Sequence, residues 1–140
     1  MINRIVCLAA TVLLLSVVTA MAQQAAKEKA AVLSAEKWLN IIDEGKYRES
    51  WKEAAAYFKA AVEEDQWDHS LQSVRKPLGK MVSRKMKSTT YETSLPGAPD
   101  GEYVVIQFET SFQNKKTSIE TVTPMMDKDR KWRVSGYYIK

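Results

Sequence analysis

Nucleophilic or metal chemistry in this chain would have to be built from very few side chains. There is one histidine, His69, and one cysteine, Cys7. A Ser-His-acid triad needs a histidine as proton relay, and an imidazole metal centre needs several of them. His69 follows Asp68 near the start of a helical segment, two residues beyond Trp67, where solvent exposure is expected. The five glycines are scattered singly, so no phosphate-cradling loop is present. No catalytic, cofactor-binding or metal-ligating residue is assigned, and no cofactor is expected.

Acid–base chemistry by a carboxylate is the remaining route, because an acid and a tyrosine hydroxyl can together stabilise an enolate. Glu109 and Glu120 lie in strand-like segments, and six tyrosines are available. Alternation sends Glu109 away from Val104, Ile106 and Phe108. It is therefore expected on an outer sheet face, paired with a basic neighbour such as Arg84, Lys116 or Arg133.

Two binding features stand beside these acids. Trp38, Trp51, Phe58, Trp67 and Trp132 could line a cavity for a small apolar ligand. Their helical spacing equally predicts core filling, which is the favoured reading for most of them. Between His69 and Tyr91 there is no acid, while Arg75, Lys76, Lys80, Arg84, Lys85 and Lys87 all occur. Such a patch could meet anionic head groups, an acidic polymer or a negative partner. The plainer reading is a solvated helix end and a strand edge protected by lysines, with Arg84 facing opposite to Lys85 and Lys87. The net charge of +4 is mild, and no nucleic-acid partner is expected.

The elements that position these groups follow from periodicity. Residues 23–30 read as a frayed lead-in. A first packed helix is expected over Ala30–Glu44, with Ala31, Ala35, Trp38 and Ile42 on one face and Gly45 ending it. A second spans Tyr47–Glu63, with the stripe Tyr47, Trp51, Ala54, Phe58 and Ala61. A third starts near Asp65, carries Trp67, Leu71, Val74 and Leu78, and stops near Arg75 or Lys76 because of Pro77. From Met81 the pattern alternates. Strands are expected over Met81–Ser94, Glu102–Phe112, Lys116–Met126 and Lys131–Ile139. They are joined by the turn-rich Leu95–Gly101 loop and two short hairpin loops. On the second strand Val104, Ile106, Phe108 and Phe112 point one way, and Tyr103, Gln107, Glu109 and Ser111 the other. The fold class is α+β: three N-terminal helices packed on a curved four-stranded antiparallel sheet.

Residues 1–22 read as a secretory signal peptide. Arg4 supplies the positive start, Ile5–Val18 the apolar run and Ala20-Met21-Ala22 the cleavage site, with Gln23 the first mature residue. Cys7 lies inside this leader, so the mature domain, 23–140, has no disulfide. The expected location is secreted, in the bacterial periplasm.

Several segments carry a resemblance. They are Ala35-Glu-Lys-Trp38, Trp67, Val74-Arg-Lys-Pro-Leu-Gly79, the run from Tyr91 through Leu95-Pro-Gly-Ala-Pro-Asp-Gly101 to Val105, Glu120-Thr-Val-Thr-Pro124 and Trp132-Arg-Val-Ser-Gly-Tyr-Tyr138. The chain resembles a bacterial secreted family known as domain of unknown function 4019. The helices-then-sheet order also resembles the nuclear-transport-factor-2-like superfold, which implies a cone with a cavity. That superfold hosts isomerases, dehydratases, scaffold modules and transport factors, so it assigns no function.

The expected function is a non-enzymatic secreted domain that binds a small apolar or amphipathic ligand or acts as a protein-interaction module. The alternatives are a small-molecule isomerase or hydrolase of the cone-shaped fold, and a structural envelope protein. A weak homodimer is expected through the outer face bearing Tyr103, Val105, Gln107 and Glu109. Membrane contact would come only from an uncleaved leader or the basic patch.

Overall fold

The computed structural model describes the backbone of residues 2–140 and the side chains from Leu15 onward. The expected positions Arg4 and Cys7, and most of the apolar run, have side chains outside the described residues. Helix α1 is continuous over Ile2–Asp43. It crosses Ala22–Gln23 without a break, and residues 23–30 are helical rather than frayed. Good helix formers and local pairing explain this, including the Gln24 to Glu28 hydrogen bond at 3.1 Å. Lys27 also pairs with Glu102, and Glu28 accepts a bond from Thr89 at 3.1 Å, so this segment is tied to the sheet. Among the described residues no helix is long and apolar enough to cross a membrane.

Ala31, Ala35, Trp38, Leu39 and Ile42 form the buried face of α1. Gly45 ends the helix with φ of +74°, while Gly45 and Lys46 donate back to the carbonyls of Ile42 and Ile41. The next expected helix is two short ones, α2 over Tyr47–Lys52 and α3 over Ala56–Ala61. The interruption has a non-local cause. The amide of Ala55 donates to the carbonyl of Val134 at 2.8 Å, and Ala54 and Ala55 are fully buried. Two small side chains let the backbone close on an open sheet edge. Helix α4 runs over Glu64–Val74, followed by a 3-10 turn over Lys76–Leu78. Trp67 and Leu71 are buried as expected, but Val74 is 54% exposed because the helix ends there and the chain turns away.

The sheet contains β1 (Met81–Glu92), β2 (Tyr103–Phe112), β3 (Lys115–Met126) and β4 (Trp132–Ile139). They are antiparallel neighbours in chain order. Register shifts occur on β1, near the end of β2 and at Thr123–Pro124, where proline's missing donor is tolerated. Val104, Ile106, Phe108 and Phe112 are buried on the inner face, whose upper part packs with the helices. The architecture is α+β, with helices on a four-stranded antiparallel sheet.

The outer face is not bare along its whole length. Tyr103, expected there as part of an association surface, is 1% exposed. It packs with Ala55, Met125, Tyr57, Leu95 and Ala98 in a second small cluster. Its hydroxyl donates to the Pro99 carbonyl at 2.5 Å, and Tyr57 donates to Gly97 at 2.9 Å. The turn-rich loop and α3 thus fold over that end. Val105 and Gln107 are half-buried, and Glu109 is exposed.

Candidate functional site

The inner face holds a buried charged network. Phe108 on β2 pairs in register with Glu120 on β3, which puts Glu120 among core residues. Glu120 is fully buried. Its Oε1 accepts bonds from Arg84 Nε at 2.7 Å and Thr110 Oγ1 at 2.6 Å. Its Oε2 accepts from the Tyr137 hydroxyl at 2.5 Å. The other two guanidinium nitrogens of Arg84 donate to both oxygens of Asp43, at 2.7 and 2.9 Å. Asp43 Oδ1 also accepts from Arg75 at 3.1 Å, and the Arg75 guanidinium lies 4.4 Å from the Phe112 ring centre.

Two carboxylates and two guanidiniums therefore balance one another between the end of α1, the end of α4 and strands β1 and β3. Burial works against the charge of Arg84, but its bonds to Asp43 and Glu120 outweigh that and raise its pKa. Burial, then the neighbouring Glu120 charge, holds the Tyr137 phenol well above its usual range, so its proton stays available for donation. Desolvated ion pairs of this kind stabilise a fold only when each polar atom finds a partner. Here both Glu120 oxygens and all three Arg84 guanidinium nitrogens do, whereas Arg75 Nε is buried without a partner. A cleft of about 310 Å³ lined by Glu36, Asn40, Arg84, Met86 and Phe108 reaches Arg84 but neither Glu120 nor Tyr137.

The aromatic residues divide. Trp38, Phe58 and Trp67 are core residues. Trp67 meets Phe58 edge-on at 5.0 Å, and Trp38 meets Tyr137 edge-on at 5.3 Å. The indole nitrogens of Trp38 and Trp67 donate to Ser50, through its carbonyl at 2.8 Å and its hydroxyl at 2.9 Å. Trp51 is half-buried and donates to the Val62 carbonyl at 2.7 Å. Trp38 and Trp132 share a cleft, an opening of about 300 Å³ beside Ser34, Ile41 and Val134. None of the cavities described among these residues is lined by all five.

The basic positions divide as well. Arg75 is 3% exposed and Arg84 points inward to Asp43 and Glu120, whereas Lys76, Lys80, Lys85 and Lys87 are exposed. His69 is exposed. Among the described residues no group of three or more His, Cys, Asp or Glu side chains is placed to hold a metal ion.

A larger groove was not foreseen from the sequence. It encloses about 670 Å³ between α3, the Pro99–Glu102 loop end and the β3–β4 hairpin. Ala56, Tyr57, Ala60, Pro99, Met125 and Met126 supply its apolar lining. Glu102 on its wall is engaged by Lys27 and by the Tyr91 hydroxyl at 2.9 Å, and these bonds, Lys27 first, lower its pKa. Asp127 accepts from Arg133 at 3.2 Å and from the first amide of α3 at 3.1 Å. Of the groove's lining charges, Asp100 and Lys128 form no ion pair among the described residues, and Arg130 makes only a 3.6 Å contact with Glu102. Arg130 is the one non-glycine residue with positive φ, at 65°, among the described residues. It occupies the left-handed position of a three-residue hairpin loop, where glycine is the usual choice.

No curated protein and no solved structure matches the chain. The family model described as "Protein of unknown function (DUF4019)" matches residues 34–137, a span that begins within the packed part of α1 and ends at Tyr137 on β4. The chain therefore belongs to the DUF4019 family of proteins of unknown function.

Proposed function

We propose that this chain is an exported, non-enzymatic binding domain whose α3 groove takes a small amphipathic ligand with an anionic group. The observation that carries the reading is Arg130. A non-glycine residue in the left-handed region costs roughly 1 kcal/mol, and such outliers persist where something else requires the side chain. Arg130 stands 74% exposed beside a methionine-lined groove. The volume lies within the range of small-molecule sites, and methionine adapts to varied apolar shapes. With Glu102 held by Lys27 and Asp127 by Arg133 and the first amide of α3, Lys128 and Arg130 are the least engaged cations of the lining, which suits an anionic head beside an apolar body.

Helices over one face of a bulged sheet also suit the cone of the nuclear-transport-factor-2-like superfold. Within such a cone, Glu120 and Tyr137 would be the acid–tyrosine pair of an isomerase. That second reading ranks lower, since Arg84, Thr110 and Tyr137 already occupy Glu120 and the aromatic cluster fills the space beside it.

An anilinonaphthalene sulfonate titration tests the groove. The exported protein should bind the dye saturably at one site. Ala60→Trp, which fills the groove, should abolish binding, and Arg130→Gly should weaken it. Equal binding by the wild type and Ala60→Trp would refute the assignment.

A further inference from the structure

A second surface lies at the far end of the domain. The 3-10 turn and the β2–β3 hairpin come from distant parts of the chain and are bonded together. The amides of Gln113 and Asn114 donate to the carbonyls of Lys80 and Leu78 at 2.8 and 2.9 Å. The Asn114 side chain donates to the Pro77 carbonyl at 2.9 Å. Gly79, at φ of +75°, permits this closeness, because a Cβ there would sit 3.0 Å from Gln113.

This junction brings Lys76 and Lys80 to the same tip as Lys115 and Lys116, all four exposed. None of them forms an ion pair among the described residues. Neither residues 70–91 nor residues 110–119 contain an acid. Two exposed apolar side chains flank the 3-10 turn in the chain. Val74 is 54% exposed and Val82 67%, and each lies within two residues of one of the lysines.

We propose that this tip docks on an anionic lipid bilayer. Four uncompensated lysines supply attraction to acidic head groups. The two valines decide between a membrane and a soluble acidic polymer. Apolar side chains gain by leaving water for the acyl boundary and gain nothing on a hydrated polyanion. The surface is distinct from the groove and from the leader. Asp43, at the C-terminal end of α1, bonds Arg75 and Arg84 beside the tip, while Lys27 bonds Glu102 at the groove. The helix between them rises about 24 Å at 1.5 Å per residue. The tip therefore contacts a membrane with the groove directed away from it.

The test uses the protein purified after export from cells, so any retained leader is common to all arms. Binding is read by sedimentation with phosphatidylglycerol/phosphatidylcholine vesicles and with pure phosphatidylcholine vesicles. The wild type should prefer the anionic vesicles and be released at about 0.5 M salt, where screening is strong. Each lysine changed to glutamine should weaken binding roughly fivefold. The combination Lys76→Gln, Lys80→Gln, Lys115→Gln and Lys116→Gln should remove the preference. Val74→Ser with Val82→Ser should weaken binding at each salt concentration where the wild type still binds. If the fourfold variant does not fold, the two lysine pairs are tested separately. Absence of binding, equal binding to both vesicles, or a preference surviving the lysine changes would overturn the proposal. So would valine variants that bind as the wild type does while dextran sulfate competes fully, which would indicate an acidic polymer instead.

Discussion

The hydroxyl of Tyr137 donates to the buried carboxylate of Glu120 at 2.5 Å, linking the last strand to its neighbour beneath the helices. The phenol sits in an aromatic cluster, 5.3 Å from Trp38 and 6.4 Å from Trp67 between ring centres. One residue thus joins the apolar core to the charged network that fixes the ends of α1 and α4.

Tyr137→Phe should destabilise the protein by about 1–3 kcal/mol at neutral pH, because Glu120 Oε2 loses its donor in a buried site. It should also change the alkaline response. The folded Tyr137 holds its proton more tightly than the unfolded one, through burial first and the Glu120 charge second. Its contribution is fully present below the unfolded phenol value of about 10 and is lost as pH rises toward the folded value. Urea unfolding at neutral pH and above pH 10 should show a shallower alkaline decline in the variant. An unchanged decline would show that Tyr137 does not titrate this way.

Arg84→Met should cost about 3–5 kcal/mol, since it strips charge compensation from two carboxylates at once. Adding Glu120→Leu should recover part of that loss by removing one stranded acid. The double-variant cycle is the measurement, and strictly additive losses would deny the coupling.

Strand positions were legible because β2 alternates cleanly, and the observed β1, β2, β3 and β4 differ from expectation only at their ends. The division of α2 from α3 was not. Tyr47, Trp51, Ala54 and Phe58 continue one helical stripe, and the bond that breaks it joins Ala55 to Val134, far along the chain. The sequence marks Glu120 as an acid on a strand and leaves its face unassigned. The available signal was its parity with Val122, together with Arg84 facing opposite to Lys85 and Lys87 on β1. The groove was illegible because its walls come from three separate segments and its apolar lining includes residues that read as loop and strand.

Trp67→Ala should cost about 3–5 kcal/mol, as a buried aromatic in contact with Phe58 and Trp38 leaves a cavity. Trp51→Ala should cost less, because that ring is only half-buried, between Lys59 and the Val62 carbonyl. His69→Ala should stay within about 0.5 kcal/mol. Thermal midpoints ranked in any other order would contradict this description of the core.

Export predicts a definite N-terminus. If the chain is exported as proposed, Arg4, the apolar run and Ala20-Met21-Ala22 would put the cut before Gln23. The helix does not oppose it, because residues 15–26 are exposed and the contacts with the sheet begin at Lys27. Intact mass of the protein from its native cells should correspond to Gln23–Lys140, with Gln23 free or cyclised. Full-length chain recovered from the cytosol would refute export.

Arg130→Gly separates stability from binding. Arg130 holds φ of 65° in the Asp127–Lys131 hairpin, where its amide donates to the Asp127 carbonyl at 2.9 Å. Glycine enters this conformation without the Cβ penalty, although it adds some freedom to the unfolded chain. The 3.6 Å contact with Glu102 is long and solvent-exposed on the arginine side, and Lys27 already serves that carboxylate. Its loss should therefore be small. The net expectation is a gain of about 0.5 kcal/mol in urea unfolding, with weaker binding of an anionic amphiphile and unchanged binding of a neutral one. A variant less stable than the wild type would mean that Arg130 is retained for the fold. A variant that binds both probes as the wild type does would remove the reason for placing an anionic group at the groove.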